Sequence, residues 1–215
     1  MILRLIKQIP ASCALAFCIY IPLVLAESNI QTGLWQLIKE KQGIQVYTQA
    51  VPGSSLLKVK TQVTIKSSIP HIQSILDNAQ HRKNWIPFLN HSSVKHVFSA
   101  TDKLEYSHFH APWPASDRDF VYRISLTHQD NSRLIYQMKS ELYSVLPENK
   151  GIIRAELIES IYTLSKIDEQ HTRVELIFHA DPKGWLPAWI INIIQKTLPY
   201  MILRNLRIEA SKQAV

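Results

Sequence analysis

Apolar and polar residues alternate along the middle of the chain with a period of two. Between Leu57 and Ile65, every second residue is apolar or threonine, and the residues between them are lysine, glutamine and threonine. Further alternating runs cover Val94–Phe98, Leu104–Phe109, Phe120–Thr127, Arg133–Leu142, Ile152–Leu164 and Thr172–Ala180. Because successive side chains of a strand point to opposite faces, the pattern predicts an antiparallel sheet with one apolar face and one solvent face.

Other segments have the spacing of helices. Leu34, Leu37 and Ile38 predict a helix over Ile30–Gln42. A second helix is predicted over Ile69–Asn78, which follows two serines and has a proline near its first turn. A shorter helical piece is predicted around His81–Phe88.

The last predicted helix, Leu186–Lys212, is apolar around nearly its whole circumference at its start. Six of the nine residues from Leu186 to Ile194 are Leu, Trp or Ile, and such a helix is buried on more than one side or contacts a membrane. Pro199 removes one backbone donor, so we expect a bend there. Strands followed by this helix predict an α+β fold in which the helix covers the apolar face of a curved antiparallel sheet.

The first 26 residues have the pattern of a secretory signal peptide. Arg4 and Lys7 precede an apolar run over Ala11–Ala26, which ends in a Val-x-Ala sequence. We therefore expect export, to the periplasm or out of the cell, with cleavage after Ala26 and residues 27–215 as a single domain. The uncharged stretch Gln8–Ala26 is long enough to span a bilayer, so an uncleaved membrane anchor is the alternative.

Composition narrows the class of protein further. The chain has 215 residues, 46% of them hydrophobic, which suits one domain with its own core. Both cysteines, Cys13 and Cys18, lie in the predicted signal peptide, so the remainder has neither a disulfide framework nor a cysteine-ligated metal site. The net charge of +7 favours contact with anionic surfaces. Because the basic residues are spread along the strands, we expect no nucleic-acid partner.

Motifs for covalent chemistry are missing from the sequence, which has no GxSxG, P-loop, HExxH or GxGxxG. His108 and His110 share one face of a predicted strand, but no third ligand stands at a recognisable spacing, so we expect no metal and no cofactor. The run Asp117–Asp119 is either a catalytic acid pair or, as we expect, part of a salt-bridge clamp at a strand start. Trp113, between two prolines, is either a ligand gate or part of a packed loop.

Four motifs occur in the order and at the spacing of a known family. They are Trp85-Ile86-Pro87, Pro112-Trp113-Pro114 with the following Asp117–Tyr122, Pro147–Glu156, and Asp181–Pro187 with Ile190-Ile191-Asn192. Over about residues 30–212 the chain resembles the START domain, the steroidogenic-acute-regulatory-protein-related lipid-transfer family. The resemblance implies a helix-grip fold, in which the sheet wraps around the C-terminal helix and encloses an apolar tunnel for one lipid. It implies no covalent chemistry.

The resemblance also singles out one polar position. Sterol-binding members are similar to each other in placing a tunnel acid thirteen residues before the arginine of the Arg-Asp pair and an arginine six residues after it. Glu105 matches the acid, but the second position is Ile124, and Arg123 lies on the opposite strand face. A buried unpaired carboxylate is costly, so Glu105 would be protonated or paired with the ligand. The alternative is that the Glu105 side chain reaches solvent or pairs with Arg118. The absence of an arginine at position 124 argues against cholesterol-type recognition.

The leading hypothesis is an exported lipid-binding or lipid-transfer protein without catalytic activity. Its ligand would be a lipid or another hydrophobic small molecule, held by Glu105, Tyr122, Ile124, Tyr136, Met138, Phe178, Trp189 and Ile193. This set combines the apolar faces of the predicted strands with the inner face of the last helix and one polar group for orientation. We expect a monomer that contacts membranes transiently.

Two other classes of function remain open. One is an enzyme on the same scaffold, a cyclase or hydrolase of an apolar substrate, which would use Glu105 or a tunnel histidine as its acid or base. The other is an interaction domain that neither carries nor converts a ligand.

Overall fold

The structure is a computed structural model that describes residues 33–141, 146 and 150–212. The predicted signal peptide, residues 1–26, lies outside the described residues. A single unit comprises Gln31–Val215, and it is built around one large sheet.

Ten strands of the described part of the chain form this sheet. They are β1 (Gln36–Lys41), β2 (Ile44–Gln49), β3 (Lys58–Ile65), β4 (Leu89–Ser99), β5 (Asp102–Phe109), β6 (Arg118–Gln129), β7 (Arg133–Ser140), β8 (Ile153–Arg154), β9 (Glu156–Lys166) and β10 (Thr172–Asp181). Their order is β1-β2-β3-β10-β9-β7-β6-β5-β4, with antiparallel neighbours. The short strand β8 instead pairs in parallel with β6. The alternating runs therefore form the sheet that their pattern predicts, and the run over Ile152–Leu164 divides into β8 and β9.

The predicted helix over Ile30–Gln42 is wrong for the residues that the structure describes. Its second half is β1, which pairs with β2 through a two-residue hairpin turn. Both turn residues have positive φ, 55° at Gln42 and 72° at Gly43, and such turns match the twist of paired strands. The helix is predicted from the spacing of three apolar residues, Leu34, Leu37 and Ile38. All three are exposed, so this spacing does not mark a buried face.

Two helical segments precede β4. Helix α1 (Ile69–Asp77) begins after Ser68 and has Pro70 in its first turn, although Ser68 makes no side-chain capping hydrogen bond. The helical piece predicted over His81–Phe88 is a single 3₁₀ turn, Arg82–Asn84.

The C-terminal helix changes its hydrogen bonding partway along. It consists of α2 (Ala188–Asn192), a π-helical segment (Ile193–Thr197) and α3 (Leu198–Ser211). Pro199 lies in the first turn of α3, directly after the π segment, where its missing N–H is tolerated. Among the described residues, no helix is both long enough and apolar enough to cross a bilayer.

The two halves of this helix meet the sheet differently. Helix α3 packs directly on β2, β3 and β10, and its residues Tyr200, Leu203 and Leu206 join the apolar faces of those strands in one core. Leu203 and Leu206 have no exposed surface, so replacing either by Ala should cost about 2–5 kcal/mol. Residues of α2 and the π segment, such as Ile190 and Ile193, instead line a cavity together with residues of the sheet. The predicted α+β helix-grip fold, a curved antiparallel sheet around a C-terminal helix, is confirmed.

Candidate functional site

A cavity, which we call the main cavity, lies between the concave face of the sheet and the helical segment formed by α2 and the π segment. The volume of this cavity is about 200 Å³, and most of the residues that line it are apolar. Six of the eight residues proposed from the sequence line it: Tyr122, Ile124, Tyr136, Met138, Phe178 and Ile193. Strand alternation and helical spacing thus place these six residues on the side that faces the cavity.

One row of residues crosses the sheet along the floor of the main cavity. Ile124 of β6 lies opposite Met138 of β7, Met138 lies opposite Ser160 of β9, and Ser160 lies opposite Phe178 of β10. All four residues line the cavity. Because adjacent strands are about 4.8 Å apart, the row is about 14 Å long. The floor is therefore elongated across the strands.

A buried ion pair lies at the wall of the main cavity. Arg82, in the 3₁₀ turn, donates from Nη1 to Oε2 of Glu105 and from Nη2 to Oε1 at 3.2 Å. The Tyr122 hydroxyl donates to Oε2 of Glu105 at 3.0 Å, and the hydroxyls of Ser107 and Tyr122 are 3.0 Å apart. Arg82, Ser107 and Tyr122 line the cavity, and Glu105, which is 1% exposed, lies behind them. The cluster forms one polar region on a largely apolar wall.

The guanidinium of Arg82 has a second hydrogen-bond acceptor besides Glu105. Its Nε and Nη2 also donate to the carbonyl oxygen of Leu76 in the last turn of α1, at 2.9 and 2.6 Å. Burial acts to lower the pKa of Arg82, but neighbouring Tyr122 and Glu105 outweigh it, so this pKa is raised above its ordinary value. Burial and the charge of Glu105 raise the pKa of Tyr122 to about 12. The cluster is therefore an ion pair bridged by a neutral phenol that donates a hydrogen bond.

The partner of Glu105 is none of those that the sequence suggests. The carboxylate reaches neither solvent nor Arg118, and it is not left unpaired, because Arg82 occupies both of its oxygens. Arg123 lies on the other face, as predicted, where it pairs with Asp102 at 2.7 Å. Sequence reasoning missed Arg82 because it comes from a different element, the 3₁₀ turn, and its neighbours Lys83 and Asn84 are exposed polar residues.

Three further residues with a hydroxyl group line the main cavity, and one of them, Tyr136, donates to Asp77 at 2.8 Å. Ser160 and Tyr162 both line it, and within the described part of the chain neither side chain has a hydrogen-bond partner. Burial raises the pKa of the Tyr162 phenol above its ordinary value, so it remains a neutral donor. These two groups are free to bind a polar atom of a ligand.

The two acids of Asp117–Asp119 form separate salt-bridge clamps, which is the arrangement that we expect from the sequence. Asp119 accepts hydrogen bonds from Arg154 at 2.6 and 3.1 Å. Asp117 contacts His108 at 2.9 Å and His110 at 3.1 Å, so each acid has partners of its own. Within residues 33–141, 146 and 150–212, no group of three or more such side chains is arranged so that it could hold a metal ion.

Arg118, between these acids, joins two parts of the structure through backbone groups. Its guanidinium donates to four carbonyl oxygens, those of Ser116, Pro182, Lys183 and Trp185. It therefore ties the start of β6 to the loop that precedes α2. This loop leads into the helical cover of the main cavity.

Neither Trp189 nor Trp113 is part of the wall of the main cavity. Trp189 is 47% exposed and is not part of the main cavity wall, whereas the next residue, Ile190, is 4% exposed and lines it. Consecutive residues of a helix point about 100° apart, so Ile190 and Ile193 share the inner face and Trp189 lies outside it. Trp113 is 89% exposed, and the packed-loop interpretation is therefore wrong.

Comparisons with known proteins agree with this architecture. The family model for the START domain matches residues 23–208. The phosphatidylcholine transfer protein of Rattus norvegicus is 27% identical over 165 residues, which cover 74% of this chain and 75% of that protein. A STAR-related lipid transfer protein from Xanthomonas axonopodis is 28% identical, with a TM-score of 0.72 over 83% of this chain and 99% of that one. Human STARD10, at 21% identity, has a TM-score of 0.76 over 83% of this chain and 74% of that one, a likeness of fold.

Proposed function

Because the chain belongs to the START domain family, we propose that it is an exported, non-catalytic protein that encloses one lipid in the main cavity and transfers it between membranes. The observation that carries this proposal is the largely apolar cavity beneath α2 and the π segment, with the cluster around Arg82 in its wall. A relative that is named a phosphatidylcholine transfer protein supports the same class of ligand.

The energetics favour a hydrocarbon ligand in this cavity. Each methylene group removed from water contributes about 0.8 kcal/mol, so an apolar chain gains free energy along the row from Ile124 to Phe178. The wall of the cavity continues onto Tyr136 of β7 and onto Ile193 of the π segment. A ligand in this position would touch every residue of the predicted site that lines the cavity.

The polar cluster orients the ligand. The hydroxyls of Ser160 and Tyr162 line the cavity and have no hydrogen-bond partner within the described residues. A polar atom of the lipid would bind these groups beside Arg82. Glu105 acts through Arg82 and Tyr122, whose positions it fixes.

The arrangement of Glu105 is unsuited to acid–base catalysis. A general acid or base must reach its substrate directly or through one water, whereas both oxygens of Glu105 are occupied by Arg82 or Tyr122. We expect lipids recovered after incubation with the protein to have unchanged masses. A chemically altered lipid that disappears with Glu105→Gln would favour the enzyme instead.

Export is part of the proposal and rests on the first 26 residues of the sequence. Cleavage after Ala26 would leave Glu27 as the first residue of the exported protein. N-terminal sequencing of the protein recovered outside the cytoplasm tests this directly. A membrane-bound protein that retains residues 1–26 would establish the anchor and contradict cleavage.

Transient membrane contact and a monomeric state complete the proposal. Trp113 and Trp185 are exposed, and their neighbours Pro112 and Leu186 line the main cavity. Tryptophan side chains are favoured at membrane interfaces because they are apolar with one polar group. Exposed tryptophans beside the cavity would allow a monomer to contact a bilayer where the lipid enters.

A transfer assay between vesicles tests the function. Donor vesicles of total lipid extract and acceptor vesicles of one synthetic lipid are mixed with the protein, and the lipids that reach the acceptor are identified by mass spectrometry. We expect transfer in proportion to protein, abolished by Ile124→Glu in the cavity wall and retained by Thr127→Glu on an exposed part of β6. Transfer at the spontaneous rate with the wild-type protein would contradict the proposal.

A further inference from the structure

A second cavity, which we call the side cavity, lies beside the main cavity. It is bounded by the segment that leads into β3, the end of β10, the loop before α2, and the helix itself. The volume of the side cavity is about 300 Å³. Nothing in the proposed function uses this space.

The two cavities share a wall made of side chains. Five residues line both of them: Phe178, Ala180, Pro182, Leu186 and Ile194. The backbone does not separate the cavities on the sheet side, because they lie on the same face of β10. On the sheet side, the side chains of these shared residues therefore form the boundary between the two cavities.

The row of residues along the cavity floor continues into the side cavity. Phe178 of β10 lies opposite Ser160 of β9 on one side and opposite Val59 of β3 on the other. Ser160 lines the main cavity, Val59 lines the side cavity, and Phe178 lines both. The row from Ile124 to Val59 thus crosses five adjacent strands, about 19 Å at about 4.8 Å between neighbours. The two cavities lie in line.

The helix side of the shared wall lies in the π segment. Ile194 faces both cavities, while Gln195 beside it lines the side cavity. The amide of Leu198 bonds to the carbonyl oxygen of Ile193, the five-residue spacing of a π-helix, and π-helical turns occur frequently at functional sites. The irregular turn places consecutive isoleucines, Ile193 and Ile194, against the main cavity.

The lining of the side cavity suits hydrocarbon and not a charged group. Three of its fourteen residues are polar, Asp181, Lys183 and Gln195. Lys183 lies 2.8 Å from Asp181 and 2.8 Å from Glu156, so its charge is already compensated. The other residues are apolar or glycine, including Leu56, Leu57 and Ile191.

We propose that the side cavity binds the distal end of the lipid's hydrocarbon chain, which passes from the main cavity between Phe178 and Ile194. This inference rests on the proposed function, because it assigns the polar group of the same lipid to the cluster at Arg82. The chain follows the row of the sheet from Ser160 to Val59. The side cavity therefore sets the chain length that the protein prefers.

A chain-length series tests the proposal. The probes are lysophosphatidylcholines with acyl chains from decanoyl to stearoyl, each below its critical micelle concentration, and the dissociation constant is measured for the whole protein. Burial of each added methylene at about 0.8 kcal/mol should tighten binding about fourfold. In the wild-type protein this rise should continue to the longest chains.

Two substitutions fill the side cavity from opposite sides. Leu57→Trp acts from the sheet side and Ile191→Trp from the helix side, and both residues line the side cavity but not the main one. We expect each to stop the rise at a shorter chain and to weaken stearoyl binding at least about tenfold relative to the wild type, the loss of about two buried methylenes. Leu37→Trp, on the exposed face of β1, is the matched control and should follow the wild-type curve.

The outcomes separate the two proposals. If decanoyl and stearoyl probes bind and the curves of both tryptophan variants overlie the wild-type curve, the side cavity does not hold the chain and this inference is wrong. If both variants weaken all probes by the same factor, the side cavity has no role in chain length, and the inference is again wrong. If the wild-type protein binds no member of the series, the proposed function itself is contradicted for this lipid class.

Discussion

The guanidinium of Arg82 and the carboxylate of Glu105 form a two-point ion pair at the wall of the main cavity, with side chains that are almost fully buried. Arg82 belongs to the 3₁₀ turn after α1, and Glu105 lies in the middle of β5. The pair therefore fixes the turn against the sheet and holds the Tyr122 hydroxyl at the cavity. A buried pair adds little net stability, but the loss of one partner is costly.

Breaking this pair from one side should destabilise the protein strongly. Arg82→Met leaves Glu105 as a buried charge without its partner, and we expect the free energy of unfolding to fall by about 3–5 kcal/mol. The double variant Arg82→Met/Glu105→Leu removes both charges and should recover most of that loss. Urea unfolding of the three proteins measures this, and a double variant no more stable than Arg82→Met would contradict the account.

Tyr122 should make the protein sensitive to alkaline pH. Its pKa is raised from 10 in the unfolded chain to about 12 in the folded protein, mainly by burial and by Glu105. The resulting stabilisation is fully present below pH 10 and is lost as the pH rises through about 12. Between these values the free energy of unfolding of the wild type should fall by about 1.4 kcal/mol per pH unit more than that of Tyr122→Phe. Parallel pH profiles would contradict the prediction.

Arg118 should hold the loop before α2 in place. A lysine cannot reproduce its hydrogen bonds to four carbonyl oxygens, because an ammonium group lacks the planar fork of a guanidinium. We expect Arg118→Lys to cost about 1–3 kcal/mol of stability and to speed trypsin cleavage after Lys183. Arg133→Lys, at an exposed position, is the matched control. Unchanged cleavage in Arg118→Lys would show that the loop is held by other contacts.

The hairpin between β1 and β2 depends on a glycine. Gly43 has a φ of 72°, a conformation that costs a residue with a side chain about 1–2 kcal/mol. Gly43→Ala should therefore lower the free energy of unfolding by about that amount. Gly53→Ala, in the turn before β3 with a φ of 73°, provides a comparison at a second turn. A Gly43→Ala protein as stable as the wild type would contradict the turn geometry.

The sequence predicts the sheet well because apolar and polar residues alternate along a strand that is buried on one face only. In β6 and β7 the apolar residues alternate with polar ones, so the alternation identifies both the strands and the residues that face the main cavity, such as Ile124 and Met138. β1 shows no such alternation. It pairs with one neighbour only among the described strands, it is largely exposed, and the spacing of its apolar residues fits a helix by chance.

Two parts of the site depend on tertiary structure and could not be predicted from local patterns. Arg82 meets Glu105 only after α1 packs on the sheet, and no spacing along the chain indicates that contact. Trp189 differs from Ile190 by one position in a run that is apolar nearly all round, so the sequence cannot tell which side faces the cavity. The π segment, which places both Ile193 and Ile194 against the cavity, is likewise invisible in the pattern.

The central claim is that one lipid lies against the concave face of the sheet. Met138 and Gln137 are neighbours on β7 whose side chains point to opposite faces, with Met138 in the main cavity and Gln137 exposed. They therefore provide a matched pair in which the same charge is added either inside or outside the cavity. Circular dichroism and unfolding curves establish that both variants fold.

The measurement is native mass spectrometry of the wild type, Met138→Glu and Gln137→Glu, purified without detergent and incubated with one total lipid extract. The account predicts one lipid adduct per chain in the wild type and in Gln137→Glu, and its loss in Met138→Glu. Equal lipid occupancy in Met138→Glu and the wild type, or a wild-type protein that remains without lipid, would contradict it.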